Sequence, residues 1–170
     1  MSTQTRTLPQ LSGDLFLTDG GIETDLIFHH GLALPHAAAY VLLEDEDGSA
    51  RLSRYFEDYM AIARELGTGF VLESATWRAN SDWAGKVGTP AQALPSLNRR
   101  AIEMLVDIRN RYASSVAPIV ISGCVGPRSD AYRPTEIMSE QEAQRYHGRQ
   151  IATFAETEAD MVTAMTLTNV

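Results

Sequence analysis

Apolar and polar positions fall in short alternating blocks along this chain. Leu15-Phe16-Leu17-Thr18 is an apolar run closed by Asp19-Gly20-Gly21, which predicts a strand and a tight turn. Ile22 to His30 fits a short helix ended by Gly31. Leu32 to Leu43 is apolar and Ala-rich but holds Pro35, and its structure stays open. Glu44 to Gly48 reads as an acidic, solvated loop. Leu52, Phe56, Tyr59, Ile62 and Leu66 then recur at helical spacing, and Gly67 supplies a stop. Gly69 to Ser74 is a strand with a polar end, and Ala75 to Gly88 a polar and aromatic loop. Thr89-Pro90 is a capping signal. Because proline is unwelcome inside a helix, the next regular helix is expected from near Ser96 through Ala101, Leu105 and Ile108 toward Tyr112. Pro118 to Gly123 is a third strand, and Cys124 to Pro134 a loop. Ser139-Glu140-Gln141-Glu142 is a capping box. The helix it opens is expected to bury Ala143, His147, Ile151 and Phe154, with Gly148 inside it at some cost. Asp160 to Thr166 reads as a fourth strand.

Strand and helix alternate three times and a strand follows. That order predicts βαβ units, a parallel sheet and an α/β fold, either a (β/α) barrel or a doubly wound sheet. In both, ligands bind at the carboxyl ends of the strands. Those ends hold the densest polar and glycine clusters of the chain: Asp19 to Gly21, Glu73 to Trp77, Gly123 to Pro127 and Thr166 to Asn169. A whole barrel takes about 250 residues, so these 170 would supply about half of one.

Charge narrows the function. Against 14 Lys and Arg stand 22 Asp and Glu, a net −8. An acidic chain lacks the basic face that nucleic acid or a polybasic membrane contact requires. The one cysteine, Cys124, forms no intramolecular disulfide and suits a reducing compartment. Residues 1–10 hold no apolar signal core, and no run reaches the length of a membrane span. The expected location is the cytoplasm.

The candidate chemistry has bland and functional readings side by side. Asp19 is either a turn-former bonding nearby N–H groups or a strand-end carboxylate facing a ligand, with Gly20 and Gly21 letting backbone approach it. Glu73 at a buried strand end must be paired or protonated. It is either an ion-pair partner of an arginine such as Arg78 or a site acid, even one of an acid–base pair with Asp19. Cys124 reads as an inert buried thiol. His29, His30 and His36 do not converge as metal ligands, and His147 reads as a core histidine. Trp77, Arg78, Trp83 and Tyr132 are loop-packing residues, or the walls of a pocket able to hold a methylated cation.

These strand-end residues resemble the homocysteine S-methyltransferase family. Leu17-Thr18-Asp19-Gly20-Gly21-Ile22-Glu23-Thr24-Asp25-Leu26 with His30-Gly31 resembles its first strand end. Glu73-Ser74-Ala75-Thr76-Trp77-Arg78-Ala79-Asn80 resembles the second, and Asn98-Arg99-Arg100-Ala101 the following helix. Gly123-Cys124-Val125-Gly126-Pro127 with Asp130 and Tyr132 resembles the third. The resemblance implies a (β/α)8 TIM barrel, of which this chain gives about the first four strands as residues 15–170, after a tail of residues 1–14. It implies transfer of a methyl group from a donor to the thiol of homocysteine, with Asp19, Gly20, Gly21, Glu73, Thr76 and Trp77 toward the substrate. The family's zinc is held by three cysteines of later strands, so no metal ligand is expected here. Met165 stands where the family's fourth strand ends in a glutamate, and Arg128-Ser129 follows Gly-Pro instead of an aromatic-Gly pair. The resemblance thus implies an inactive half on its own, with open sheet edges that invite self-association. The alternative is a non-catalytic small-molecule-binding or self-pairing half-barrel.

Overall fold

The structure, a computed structural model, describes residues 7–133 and 137–168. Residues 1–6 of the expected tail, Pro134 and Asn169 lie outside the described residues. Four strands, β1 (Phe16–Thr18), β2 (Gly69–Glu73), β3 (Ile119–Val125) and β4 (Met161–Ala164), form one sheet in that order. All neighbours are parallel: Leu17 pairs with Phe70, Val71 with Val120, and Gly123 with Val162. Among the described residues, β1 and β4 each have a strand neighbour on one side only.

After β1 the chain enters α1 (Ile22–Thr24), which continues as a wider turn over Asp25–His29, and Gly31 follows with φ +66°. The stretch left open, Leu32 to Leu43, makes two 3₁₀ turns, Pro35–Ala37 and Ala39–Glu44, that bury Tyr40 and Leu43. Helix α2 (Glu46–Leu66) starts inside the stretch read as an acidic loop. Asp45 is its N-cap, accepting from the Gly48 N–H at 2.7 Å, and Glu46 and Asp47 sit where the helix dipole favours acids. Its buried face is Leu52, Tyr55, Phe56, Met60 and Ala63, whereas Ile62 and Leu66 are exposed.

Helix α3 (Ser81–Val87) lies in the segment expected to be a loop. The Asn80 side chain caps it by accepting from the Trp83 N–H, and Gly88 ends it at φ +90°. Helix α4 (Leu94–Tyr112) begins two residues before the expected Ser96. Pro95 sits in its first turn, where a missing N–H costs no hydrogen bond. β3 runs on through Cys124 and Val125, which were expected in the loop. Helix α5 (Glu140–Ala155) carries the capping box as read, with Ser139 and Glu142 each bonded to the other's backbone. Its buried residues are Gln150, Thr153 and Phe154; Ile151 is exposed and His147 half-buried.

The core lies between the sheet and α2, α4 and α5, around Phe56, Phe70, Leu72, Leu105, Ile121 and Phe154. No helix among the described residues is long and apolar enough to cross a membrane.

Candidate functional site

The parallel strands deliver their carboxyl ends to one rim, and a cleft of about 290 Å³ opens there. Asp19, Gly20 and Gly21 after β1, Glu73 and Ser74 at β2, Trp77, Cys124 of β3, and Met165 and Thr166 after β4 line it. The turn after β1 adds Ile22, Glu23 and Thr24, and Tyr132 reaches it from the loop after β3. Asp19, Gly20, Gly21, Glu73 and Trp77 therefore meet in one place. Thr76 is not among the lining residues. Its side chain turns into the protein, fully buried, and its hydroxyl donates to the Cys124 carbonyl at 2.8 Å and meets Ser74 Oγ at 2.7 Å. Thr76 thus ties β2 to β3 beneath the cleft.

Two close approaches give the rim its shape. A Cβ on Gly20 would stand 2.6 Å from the Tyr59 hydroxyl, and one on Gly126 only 2.1 Å from the Trp77 carbonyl oxygen. No side chain fits at Gly126 unless backbone moves.

The electrostatics are one-sided. Asp19, Glu23 and Glu73 line the cleft, and no lysine or arginine does so among the described residues. Burial pushes the Asp19 carboxyl up to about 6, although the Tyr55 hydroxyl donates to its Oδ2 at 3.1 Å and pulls the other way. Glu73 is pushed up to about 7, again by burial, against hydrogen bonds from the Thr163 and Ser122 side chains. Ser122 Oγ lies 3.1 Å from Glu73 Oε1 and 2.8 Å from Thr163 Oγ1. Burial also raises Glu23, with the charge of Arg78 working in the opposite sense. Buried carboxyls facing a cleft without a cation either hold protons or receive a cationic ligand.

Arg78 is not the partner of Glu73. Its guanidinium carbon sits 3.8 Å from the Trp77 ring centroid and 3.6 Å from that of Trp83. The cation over both indoles is the protein's own, in line with the loop-packing reading of these residues. Cys124 is buried, unpaired in any disulfide, and burial holds its thiol well above the ordinary range, as suits an inert thiol. Of the histidines, His30 pairs with Asp25 at 3.2 Å, His36 packs against Trp83, and His147 stacks edge-on against Tyr146 with a buried Nδ1 that has no hydrogen-bond partner among the described residues.

Among the described residues no three His, Cys, Asp or Glu side chains converge as metal ligands. The donor set also has the wrong chemistry for the zinc that the resemblance implies. A single buried thiol faces carboxyls whose contacts are hydroxyl groups. The residues present do not fit that metal.

Sequence reasoning missed Tyr55, Ser122 and Thr163, the hydroxyls that hold the two site acids. Each is a core-facing position whose polar tip shows only once neighbouring strands and helices are placed.

Among curated protein sequences none matches the chain. Two solved structures share its fold. The oxidized form of the homocysteine methyltransferase MmuM from Escherichia coli has a TM-score of 0.70 at 20% identity, covering 95% of this chain and 56% of that one. The metallated form has a TM-score of 0.71 at 19% identity, covering 96% of this chain and 57% of that one. The four-stranded sheet is thus part of a TIM-barrel-like fold, and the chain spans little more than half the length of these relatives. Residues 16–170 match the profile of homocysteine S-methyltransferases, and the chain belongs to that family.

Proposed function

We propose that this chain forms the amino-acid-holding half of a homocysteine S-methyltransferase. In this reading the full-length form moves a methyl group from a donor to the thiol of homocysteine, in methionine biosynthesis and in the cytoplasm. Residues 15–170 are the relevant domain. The observation that carries the reading is the cleft at the strand ends. Its acids, Asp19, Glu23 and Glu73, have no lysine or arginine among the described lining residues. The ammonium group of an amino acid supplies the missing charge. Tyr55 and Ser122 fix the carboxyl oxygens that would receive it. Ile22, Trp77 and Met165 offer an apolar wall to the carbon chain and thioether end of the substrate.

In the reaction a thiolate sulfur attacks the methyl carbon. The carbon–sulfur bond forms as the donor's bond to that carbon breaks, and the electron pair leaves with the donor. A free thiol has a pKa of about 8.5 and is mostly protonated at neutral pH. The described residues hold no metal site to change that, so the chain's own share is binding and orientation. Met165 stands where the family pattern has a glutamate for the substrate amine, so that amine is here held by Asp19 and Glu73 instead.

Calorimetric titration of the chain with L-homocysteine at pH 8 tests this. We expect saturable binding, weakened about tenfold or more in Asp19→Asn and in Glu73→Gln, the loss of a charge-assisted contact. No binding by the wild type, or wild-type affinity in both variants, overturns it. Methyl transfer from S-methylmethionine is the matching activity assay.

A second reading is a non-catalytic, self-pairing half-barrel. It is favoured by the one-sided pairing of β1 and β4 and by exposed Leu15, Ile62, Leu66 and Ile151. Unpaired strand edges attract other strands. Sedimentation velocity showing a concentration-dependent dimer, with ligand binding unaffected by chelator and no turnover, would support it. A monomer at all concentrations would sink it.

A further inference from the structure

Arg78 is only 6% exposed and does not line the cleft, yet it meets residues that do. Trp77 lies against one side of its guanidinium and Trp83 also packs on it, at 3.8 and 3.6 Å. Nη1 donates to the Ser129 carbonyl at 3.3 Å, in the loop that carries Tyr132 into the cleft. The carboxylates of Asp130 and Glu23 both favour its charge, while burial disfavours it. Its Nε is buried without a hydrogen-bond partner among the described residues. A cation so desolvated is held against two π faces, with the charges of Asp130 and Glu23 in its favour.

The neighbours fix the same unit from outside. Trp83 Nε1 donates to the Pro127 carbonyl at 3.1 Å, and Lys86 Nζ stands 3.9 Å from the Trp83 ring. Trp77 Nε1 donates to Thr166 Oγ1 at 3.0 Å, so the indole bridges the ends of β2 and β4 across the mouth of the cleft. Arg78 is thus the shared contact of Trp77, Trp83 and the loop after β3, and its charge also acts on Glu23 at the edge of the cleft.

We propose that Arg78 is the positioning residue of this cleft: its planar cation holds Trp77 as a fixed wall, and its charge offsets that of Glu23, which leaves a ligand's positive charge to Asp19 and Glu73. The second half rests on the amino-acid-binding reading above; the first half does not. Plane and charge are separable by substitution. Lysine keeps the charge but cannot stack as a plane, whereas glutamine keeps a small plane without the charge.

The chain has two tryptophans, and both pack on Arg78, so their fluorescence reads the clamp directly. With no ligand present, we expect the acrylamide quenching constant to rise about twofold in Arg78→Lys and Arg78→Met, because the indoles lose their covering plane. Circular dichroism identifies any variant that fails to fold, and Arg78→Lys is the milder replacement. The charge arm is the pH profile of L-homocysteine binding. Removing a cation raises the pKa of neighbouring carboxyls. The half-maximal pH should therefore move up by about half a unit in Arg78→Gln and stay at the wild-type value in Arg78→Lys. Quenching in folded Arg78→Lys equal to wild type overturns the clamp. An unshifted profile in Arg78→Gln overturns the charge role. A wild type that binds no L-homocysteine, with the quenching difference intact, overturns the amino-acid-binding reading and upholds the clamp.

Discussion

The Ser122 hydroxyl donates to Glu73 Oε1 at 3.1 Å, across a register that sets these two residues side by side on β3 and β2. Ser122 also meets Thr163 on β4, so a row of polar groups crosses three strands behind the cleft. These hydrogen bonds favour the ionised carboxyl, but burial outweighs them.

A pH dependence of stability follows. Glu73 is raised from 4.5 to about 7 in the folded chain, so folding favours its protonated form. Its contribution is complete below the unfolded value and is lost as the pH rises through about 7. Urea unfolding should therefore show Glu73→Gln gaining on the wild type between pH 5 and pH 8, by on the order of 2 kcal/mol. Wild type and variant differing equally at both pH values would refute this account of the carboxyl.

Tyr55 makes a parallel case at Asp19. Its hydroxyl donates to Asp19 Oδ2 at 3.1 Å and holds down a carboxyl that burial pushes up to about 6. Tyr55→Phe should raise the Asp19 pKa further. L-homocysteine affinity should then fall about three- to tenfold at pH 6.5 and recover toward the wild-type value at pH 8.5. Calorimetry at the two pH values checks this, and a loss of equal size at both would assign Tyr55 a different role.

Much of this was legible beforehand because the strands and their ends are short-range features. Apolar runs closed by Asp-Gly-Gly or Gly-x-x-Gly-Pro mark a parallel strand and its ligand-facing end. The cleft accordingly gathers Asp19, Gly20, Gly21, Glu73 and Trp77. What stayed hidden depends on partners distant in sequence. Acidic Glu46 and Asp47 read as a loop until Asp45 is seen to cap a helix. Ile151 reads as core, yet the structure buries Gln150 instead, because apolar periodicity cannot know that two strand-end carbonyls take a donor there. Thr76 looks like a site residue because the resemblance sets it with Trp77 at the end of β2, yet the chain turns there, with the Thr76 N–H on the Ser74 carbonyl, and the side chain points inward to the Cys124 carbonyl.

Gly126 and Gly148 should respond in opposite directions to the same change. An added Cβ at Gly126 would collide with the Trp77 carbonyl oxygen at 2.1 Å, a backbone atom that cannot step aside. Gly126→Ala should cost about 3 kcal/mol or more and lower the melting temperature accordingly. Gly148 lies inside α5 with no atom near the added Cβ. Gly148→Ala should gain about 0.5–1 kcal/mol from helix propensity alone. Thermal melts of the two variants settle the matter, and a neutral Gly126→Ala would show that the β3 loop yields more readily than its packing implies.

Gln150 offers the strictest test of how α5 holds the strand ends. Its Nε2 is 3.2 Å from the Thr76 carbonyl, 3.3 Å from the Cys124 carbonyl and 2.9 Å from Asn98 Oδ1, so one amide group serves three buried acceptors. Gln150→Met has a similar size but leaves Asn98 Oδ1 without its donor, while the Cys124 and Thr76 carbonyls keep the Thr76 hydroxyl and the Ala79 N–H, at a cost of about 1–3 kcal/mol. Gln150→Glu replaces the donor with a third type of burden, a charge pointed at oxygen atoms. It should be worse than methionine at pH 8 and recover at pH 5, where a protonated carboxyl donates one hydrogen bond. Chemical denaturation of both variants at the two pH values measures the order. If glutamate tolerated pH 8 as well as methionine does, the donor at Gln150 would not be what joins α5 to β2 and β3.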